Sequence, residues 1–160
     1  MKRIFFCLLA VMVGVVGAKS LDKSLLIGKT WQCALGIDEG GVSGKGSGES
    51  VYKKDGTFSA KAKVVYTQPK EYTLEVTESG TWKLDGDKLI ETTKTFSAKS
   101  KEAPEIAQSM EELMKVSIKE SEEFGQDEDD YITIIGLSEN RLVTTADVDF
   151  GAKTIECKAK

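Results

Sequence analysis

From Thr30 onward, apolar side chains in this 160-residue chain recur mostly at every second position, in short runs parted by Gly, Pro and Asp turn signals. That period puts alternate residues on opposite faces of a strand, one face for a core and one for water. Trp31, Cys33 and Leu35 share a face against Thr30, Gln32 and Ala34. Within 57–68, Phe58, Ala60, Ala62, Val64 and Tyr66 share a face, while Ser59, Lys61 and Lys63 point to water. Tyr72, Leu74 and Val76 repeat the alternation, and Trp82 and Leu84 continue it inward. Asp55-Gly56 reads as a type I′ hairpin turn, Asp85-Gly86-Asp87 as another, and Pro69-Lys70 and Ser79-Gly80 as further turns. Strands are expected again over 89–96, 131–136, 141–148 and 153–158, with turns at Ser138-Glu139-Asn140 and Asp149-Phe150-Gly151. Residues 36–48 hold six glycines and read as a loop, and 21–28 reads as a short helical turn or entry segment.

The period changes once. Over 104–124, Ile106, Ala107, Met110, Leu113, Met114 and Ile118 fall at three-four spacing, with Glu and Lys between them. Pro104 and Glu105 suit a helix start, and Gly125 suits its end. This face covers a barrel end or a sheet edge, or else forms a movable cap in which pliable Met side chains close a cavity. Eight to ten short strands with one late helix define a mainly β chain, a barrel or a sandwich.

The first 18 residues read as a signal peptide. Lys2 and Arg3 precede an apolar and small-residue run from Ile4 to Val16, and Gly17-Ala18 supplies small residues for cleavage after Ala18, with Ser20 as the second choice. Thirteen helical residues span about 20 Å against a hydrocarbon core of roughly 30 Å, too short for a membrane anchor. Cleavage leaves one domain, 19–160, with 20 basic residues against 26 acidic ones, a net charge of −6. The protein is therefore expected in the periplasm or secreted, not inserted in a membrane. Cys33 and Cys157 remain, and in an oxidising compartment a lone pair reads most simply as one disulfide, the alternative being two buried thiols.

Most enzyme classes are excluded by composition. The chain has no histidine, so it builds no Ser-His-Asp triad, Cys-His dyad or imidazole metal site. A net charge of −4 argues against nucleic-acid binding, which draws its affinity from Lys and Arg on phosphates. Gly41-Val42-Ser43-Gly44-Lys45 and Gly28-Lys29-Thr30 lack the leading Gly of a phosphate loop, and the second opens a strand instead of a helix. Asp127, Asp129 and Asp130 begin no EF-hand, because Ile132 and Ser138 occupy the Gly and Glu positions. No spacing singles out a catalytic carboxylate pair. No cofactor, metal or catalytic residue is assigned. Arg141, the one arginine outside the signal peptide, either lies over Trp31 to close a barrel bottom or flanks its turn as an ordinary charge.

Gly28…Trp31, Asp55-Gly56-Thr57-Phe58, Gly80-Thr81-Trp82-Lys83-Leu84 with Asp85-Gly86-Asp87-Lys88-Leu89, and the lone Arg141 together resemble the bacterial lipocalin-like branch of the calycin β-barrels. The match spans most of 25–158, although the family's entry motif places one residue between Gly and Trp where Lys29 and Thr30 both stand here. The resemblance implies a single antiparallel up-and-down barrel with an apolar interior for small lipophilic molecules, and no catalytic residues. The first functional expectation is thus a monomeric, non-enzymatic carrier or sensor, with Phe58, Tyr66, Tyr72, Leu74 and Trp82 lining the ligand, Ala60 and Ala62 leaving room, and Trp31 packed structurally. The second is an interaction module or enzyme inhibitor that presents the 36–48 loop to an envelope or host protein. Fold alone does not choose between them.

Overall fold

The computed structural model describes residues 21–39, 41–124, 131–148 and 151–160. The segment expected as a signal peptide, Gly125 and the acidic stretch 127–130, and the turn residues 149–150 lie outside the described residues. Eight antiparallel strands close into one barrel in sequence order. They are β1 (Thr30–Glu39), β2 (Val42–Tyr52), β3 (Thr57–Gln68), β4 (Tyr72–Asp85), β5 (Lys88–Lys99), β6 (Ile132–Leu137), β7 (Arg141–Val148) and β8 (Gly151–Ala159), with one helix, α1 (Pro104–Phe124), between β5 and β6. The mainly β class, the up-and-down order and the late helix are those the alternation and the resemblance imply.

Closure rests on a short seam. β1 meets β8 through Trp31↔Ala159, Gln32↔Lys158 and Cys33↔Cys157, and the last of these pairs is a disulfide with Cα atoms 4.1 Å apart. The bond joins directly opposed residues of two antiparallel strands, so the first and last strands are fastened in register. Beyond β8, Lys160 pairs with Glu49 on β2, which Lys61 also holds at 2.9 Å. The two ammonium groups, Lys160 first, draw the Glu49 carboxyl down to about 2.

Three local expectations need correction. The 36–48 segment is not a loop but two paired strands, with Leu35↔Gly46 and Gly36↔Lys45 in register. Gly44, Gly46 and Gly48 fall on the inward face of β2, where a Cβ at Gly46 would stand 2.0 Å from the Lys63 carbonyl oxygen of β3. Glycine is there because two strands approach closely at a barrel corner. The segment that an interaction module would present is therefore a paired hairpin and not an open loop. Ser79-Gly80 is likewise no turn: β4 runs through it with a bulge, and a Cβ on Gly80 would lie 1.9 Å from the Thr92 oxygen. At Asp55-Gly56 only the glycine has positive φ (+83°), so the turn is not type I′, which needs both. Asp55 steadies it by accepting from the Thr57 amide at 2.9 Å and hydroxyl at 2.6 Å.

The helix takes the place of missing strand. β6 pairs with β5 only at Lys88↔Thr133 and Leu89↔Ile132. Above that pair α1 runs back along β5. Glu111 accepts from the Ala98 amide (3.0 Å) and the Ser97 hydroxyl (2.9 Å), and Lys94 reaches Glu122 at 3.5 Å. A carboxylate from the helix thus satisfies a strand-edge donor that would otherwise invite another chain. The face turned to the barrel carries Ala107, Met110, Met114 and Ile118, whereas Ile106 and Leu113, expected on it, are exposed, Leu113 to 71%. So α1 covers a sheet edge by one narrow stripe. Helices of this length draw their stability from docking, so α1 is expected to open at lower free energy than the hydrogen-bonded strands. In hydrogen exchange, amides of 106–120 should exchange faster than those of 57–66. Stronger protection in the helix would make it scaffold and not cover.

Candidate ligand site in the barrel interior

The interior holds two apolar clusters that share no residue. The first forms the floor, where the 3-10 turn Lys23–Leu25 and Gly28 (φ +75°) lead the chain into β1. It gathers Leu26, Trp31, Tyr52, Phe58, Trp82, Leu89, Ile134, Leu142 and Cys157. Trp31 is fully buried and its indole N–H donates to the Leu26 carbonyl at 3.1 Å. Trp82 meets Tyr52 edge-on at 5.3 Å and donates to the Lys53 carbonyl at 3.1 Å. The second cluster, under the first turns of α1, joins Leu74, Ala98 and Ala107 with Tyr66, Tyr72, Val76, Phe96 and Met110. Tyr66 and Tyr72 stack at 4.7 Å across the β3–β4 pair.

The five residues expected to line a ligand are therefore divided. Phe58 and Trp82 belong to the floor, beside Trp31, while Tyr66, Tyr72 and Leu74 belong to the upper cluster. All five point inward as their parity requires, but the structure does not bring them together. What lies between them is a polar band that the hydrophobic period did not mark. Cross-strand partners share a face, and on that basis Glu78 (opposite Ala60), Glu91 (opposite Trp82) and Thr93 (opposite Gly80) all face inward. The Tyr52 hydroxyl rises from the floor and donates to Glu91 at 2.6 Å. Burial, with the Glu91 charge adding to it, pushes the Tyr52 phenol well above its usual range. Thr93 donates a long 3.5 Å bond to Glu78, whose carboxyl burial nonetheless pushes upward. A cavity of about 100 Å³ opens on Glu91 and Thr93 beneath Met114, Ser117, Ile118 and Ser121 of α1.

The signal that would have located this band is parity. Glu78 continues the inward series Tyr72, Leu74, Val76, and Glu91 continues that of Leu89. A larger concavity, about 640 Å³, lies elsewhere. It is a surface groove between Lys63, Thr73 and Glu75 on the sheet and Pro104, Gln108 and Glu111 on the helix, with charges of both signs. None of the five expected lining residues borders it.

Arg141 does not close the floor. It points outward and grips Glu156 on β8 through Nε–Oε1 (2.9 Å) and Nη2–Oε2 (3.1 Å). The ion pair lowers the Glu156 carboxyl and raises the guanidinium. The cation beside Trp31 is Lys29, with Nζ 5.7 Å from the ring centroid and donating to the Glu139 carbonyl at 2.6 Å. The lysine two places before the tryptophan thus occupies the position expected of the arginine.

Eight antiparallel strands closed in sequence order, a floor built on an early tryptophan and one late helix are consistent with a calycin, lipocalin-like fold. No protein-family model matches the chain, and no curated protein matches it.

Proposed function

We propose that this chain is an exported, non-enzymatic binding protein of the bacterial lipocalin-like kind, which carries or senses a small lipophilic molecule inside its barrel. One observation carries the reading: the barrel's two apolar clusters do not meet, and the inward positions outside both mix the apolar Leu35 and Val64 with the small Ala62 and the polar Glu78, Glu91 and Thr93. A barrel built only for its own stability would fill that level with large apolar residues, since interiors otherwise pack at crystal-like density. The basic-then-apolar N-terminus and the bonded cysteine pair support an address in the periplasm or outside the cell. The protein works as a monomer, and α1 covers the ligand. Native mass spectrometry of protein isolated from its own envelope or medium is expected to reveal a small-molecule adduct. Ala62→Phe, which fills the gap between the clusters, should abolish the adduct and leave the protein folded. A bare polypeptide mass for the unmodified protein, with ligand-preserving ionisation verified, would count against a carrier.

A further inference from the structure

Above the disulfide rung the seam between the first and last strands is open. β1 runs on to Glu39 and β8 starts at Gly151, yet the two pair only from Trp31 to Cys33. A continued register would set Leu35 opposite Ile155 and Gly36 opposite Thr154, but β8 pairs those residues with β7 alone, as Thr144↔Ile155 and Thr145↔Thr154. Parity gives the direction of the unused main-chain groups. Lys160 donates its amide to the Thr30 carbonyl, so the even-numbered residues of β1 turn N–H and C=O toward β8 and the odd-numbered ones toward β2. The β1–β2 register runs to Glu39 without a shift, so this parity holds along the strand. Gly36 and Asp38 thus present amides and carbonyls that no described residue takes up. Gly36 is exposed, and in a glycine that exposure is main chain. The edge of β5 is covered by α1, whose Glu111 takes the Ala98 amide, whereas the β1 edge has no such cover among the described residues. An open strand edge is a template for another strand.

We infer that this edge takes an extended segment of another polypeptide, which adds to β1 as a further strand. A strand supplies alternating donors and acceptors at the two-residue repeat of about 6.8 Å that Gly36 and Asp38 present. Side chains set which segment fits. Cross-strand partners share a face, so residues opposite Leu35 and Ile37 point inward. There Leu35 and Ile37 are half-buried beside Gly46 and Gly44 of β2, and Ile155 is half-buried on β8. Both inward residues of the segment are accordingly apolar. The residue opposite Asp38 points outward beside an exposed carboxylate, which among the described residues meets the Ser43 hydroxyl at 3.1 Å and no cation. A basic residue complements it. Running antiparallel to β1, the segment reads basic, apolar, any, apolar, opposite Asp38, Ile37, Gly36 and Leu35 in turn. This surface is separate from the barrel interior and does not depend on what the barrel carries.

In the free protein, amide hydrogen exchange is expected to be fast at Gly36 and Asp38 and slow at Leu35 and Ile37, which bond to β2. The peptide acetyl-Thr-Lys-Val-Thr-Val-Thr-amide, its lysine opposite Asp38 and its valines opposite Ile37 and Leu35, should slow exchange at Gly36 and Asp38 by about tenfold or more at saturation. The same peptide N-methylated at the threonine between the valines lacks the donor for the Gly36 carbonyl and should bind about tenfold more weakly or not at all. Asp38→Lys, an exposed change that spares the fold, should reverse the preference between this peptide and one with glutamate in place of its lysine. Protected Gly36 and Asp38 amides in the free monomer, no response to the peptide, equal binding of the N-methylated form, or a charge preference that survives Asp38→Lys overturns this inference and leaves the carrier reading standing. A dimer that forms without peptide and alone protects Gly36 and Asp38 gives the edge to a second copy, and overturns it equally.

Discussion

Removing the Cys33–Cys157 bond is expected to destabilise the barrel by on the order of 4–5 kcal/mol, the largest single effect available in this chain. The bond joins residues 124 positions apart, so it constrains nearly the whole unfolded chain. Loop-closure entropy grows only slowly with length, but at this span it already approaches the upper end of what one disulfide contributes. Its place in the native barrel compounds the effect. The seam it fastens has three paired positions, one of them the cysteines themselves. Total stability of a domain of this size is about 5–15 kcal/mol, so the loss takes about a quarter of it or more. Cys33→Ala with Cys157→Ala, unfolded in guanidinium beside the oxidised parent, should show a large fall in midpoint. Peptide mapping without reductant should recover the linked pair from the parent. An unchanged midpoint, or two free thiols in protein isolated without reductant, would remove the bond from the account of closure.

Much of this architecture was legible because period-2 burial is written directly in side-chain type. β3 begins and ends where alternation begins and ends, β7 covers the residues expected as a strand, and α1 spans the residues whose spacing changes to three and four. The failures share a cause. On β2 the inward residues are glycines at 44, 46 and 48, so the alternation is one of size, invisible to a hydrophobic period. At Ser79-Gly80 a bulge uses the same residue pair that a turn would use, and only the contact with Thr92 tells them apart. The candidate site was missed for a related reason. Glu78, Glu91 and Thr93 are polar residues at inward positions, and a reading that assigns polar residues to water passes over them. Arg141 illustrates the remaining limit: its rarity marked it, but its partner, Glu156, is set by strand pairing across β7 and β8.

Trp31→Ala is expected to lower stability by roughly 3–5 kcal/mol, as large aromatic deletions from a packed core do. The indole is fully buried and sits among Leu26, Leu142 and Cys157, so its removal opens a cavity where several elements converge. It also strands an acceptor: the Leu26 carbonyl takes the indole proton at 3.1 Å, and Leu26 is itself fully buried. Trp31→Phe keeps most of the volume and loses that bond, so the difference between the two variants separates packing from hydrogen bonding. The tryptophans were expected to divide the labour, Trp31 structural and Trp82 beside the ligand. Trp82 instead packs in the same cluster, bonded to the Lys53 carbonyl and with Lys23 Nζ 4.6 Å from its ring. Trp82→Ala is accordingly expected to cost a similar amount, with the melting transition of each variant measured at one pH. The two substitutions lie in one contiguous cluster, so the double variant should lose less than the sum of the singles if it folds at all. A loss below about 1 kcal/mol at Trp31 would mean that the floor does not hold the barrel together, and its stability would then rest on the strand ladder and the disulfide seam.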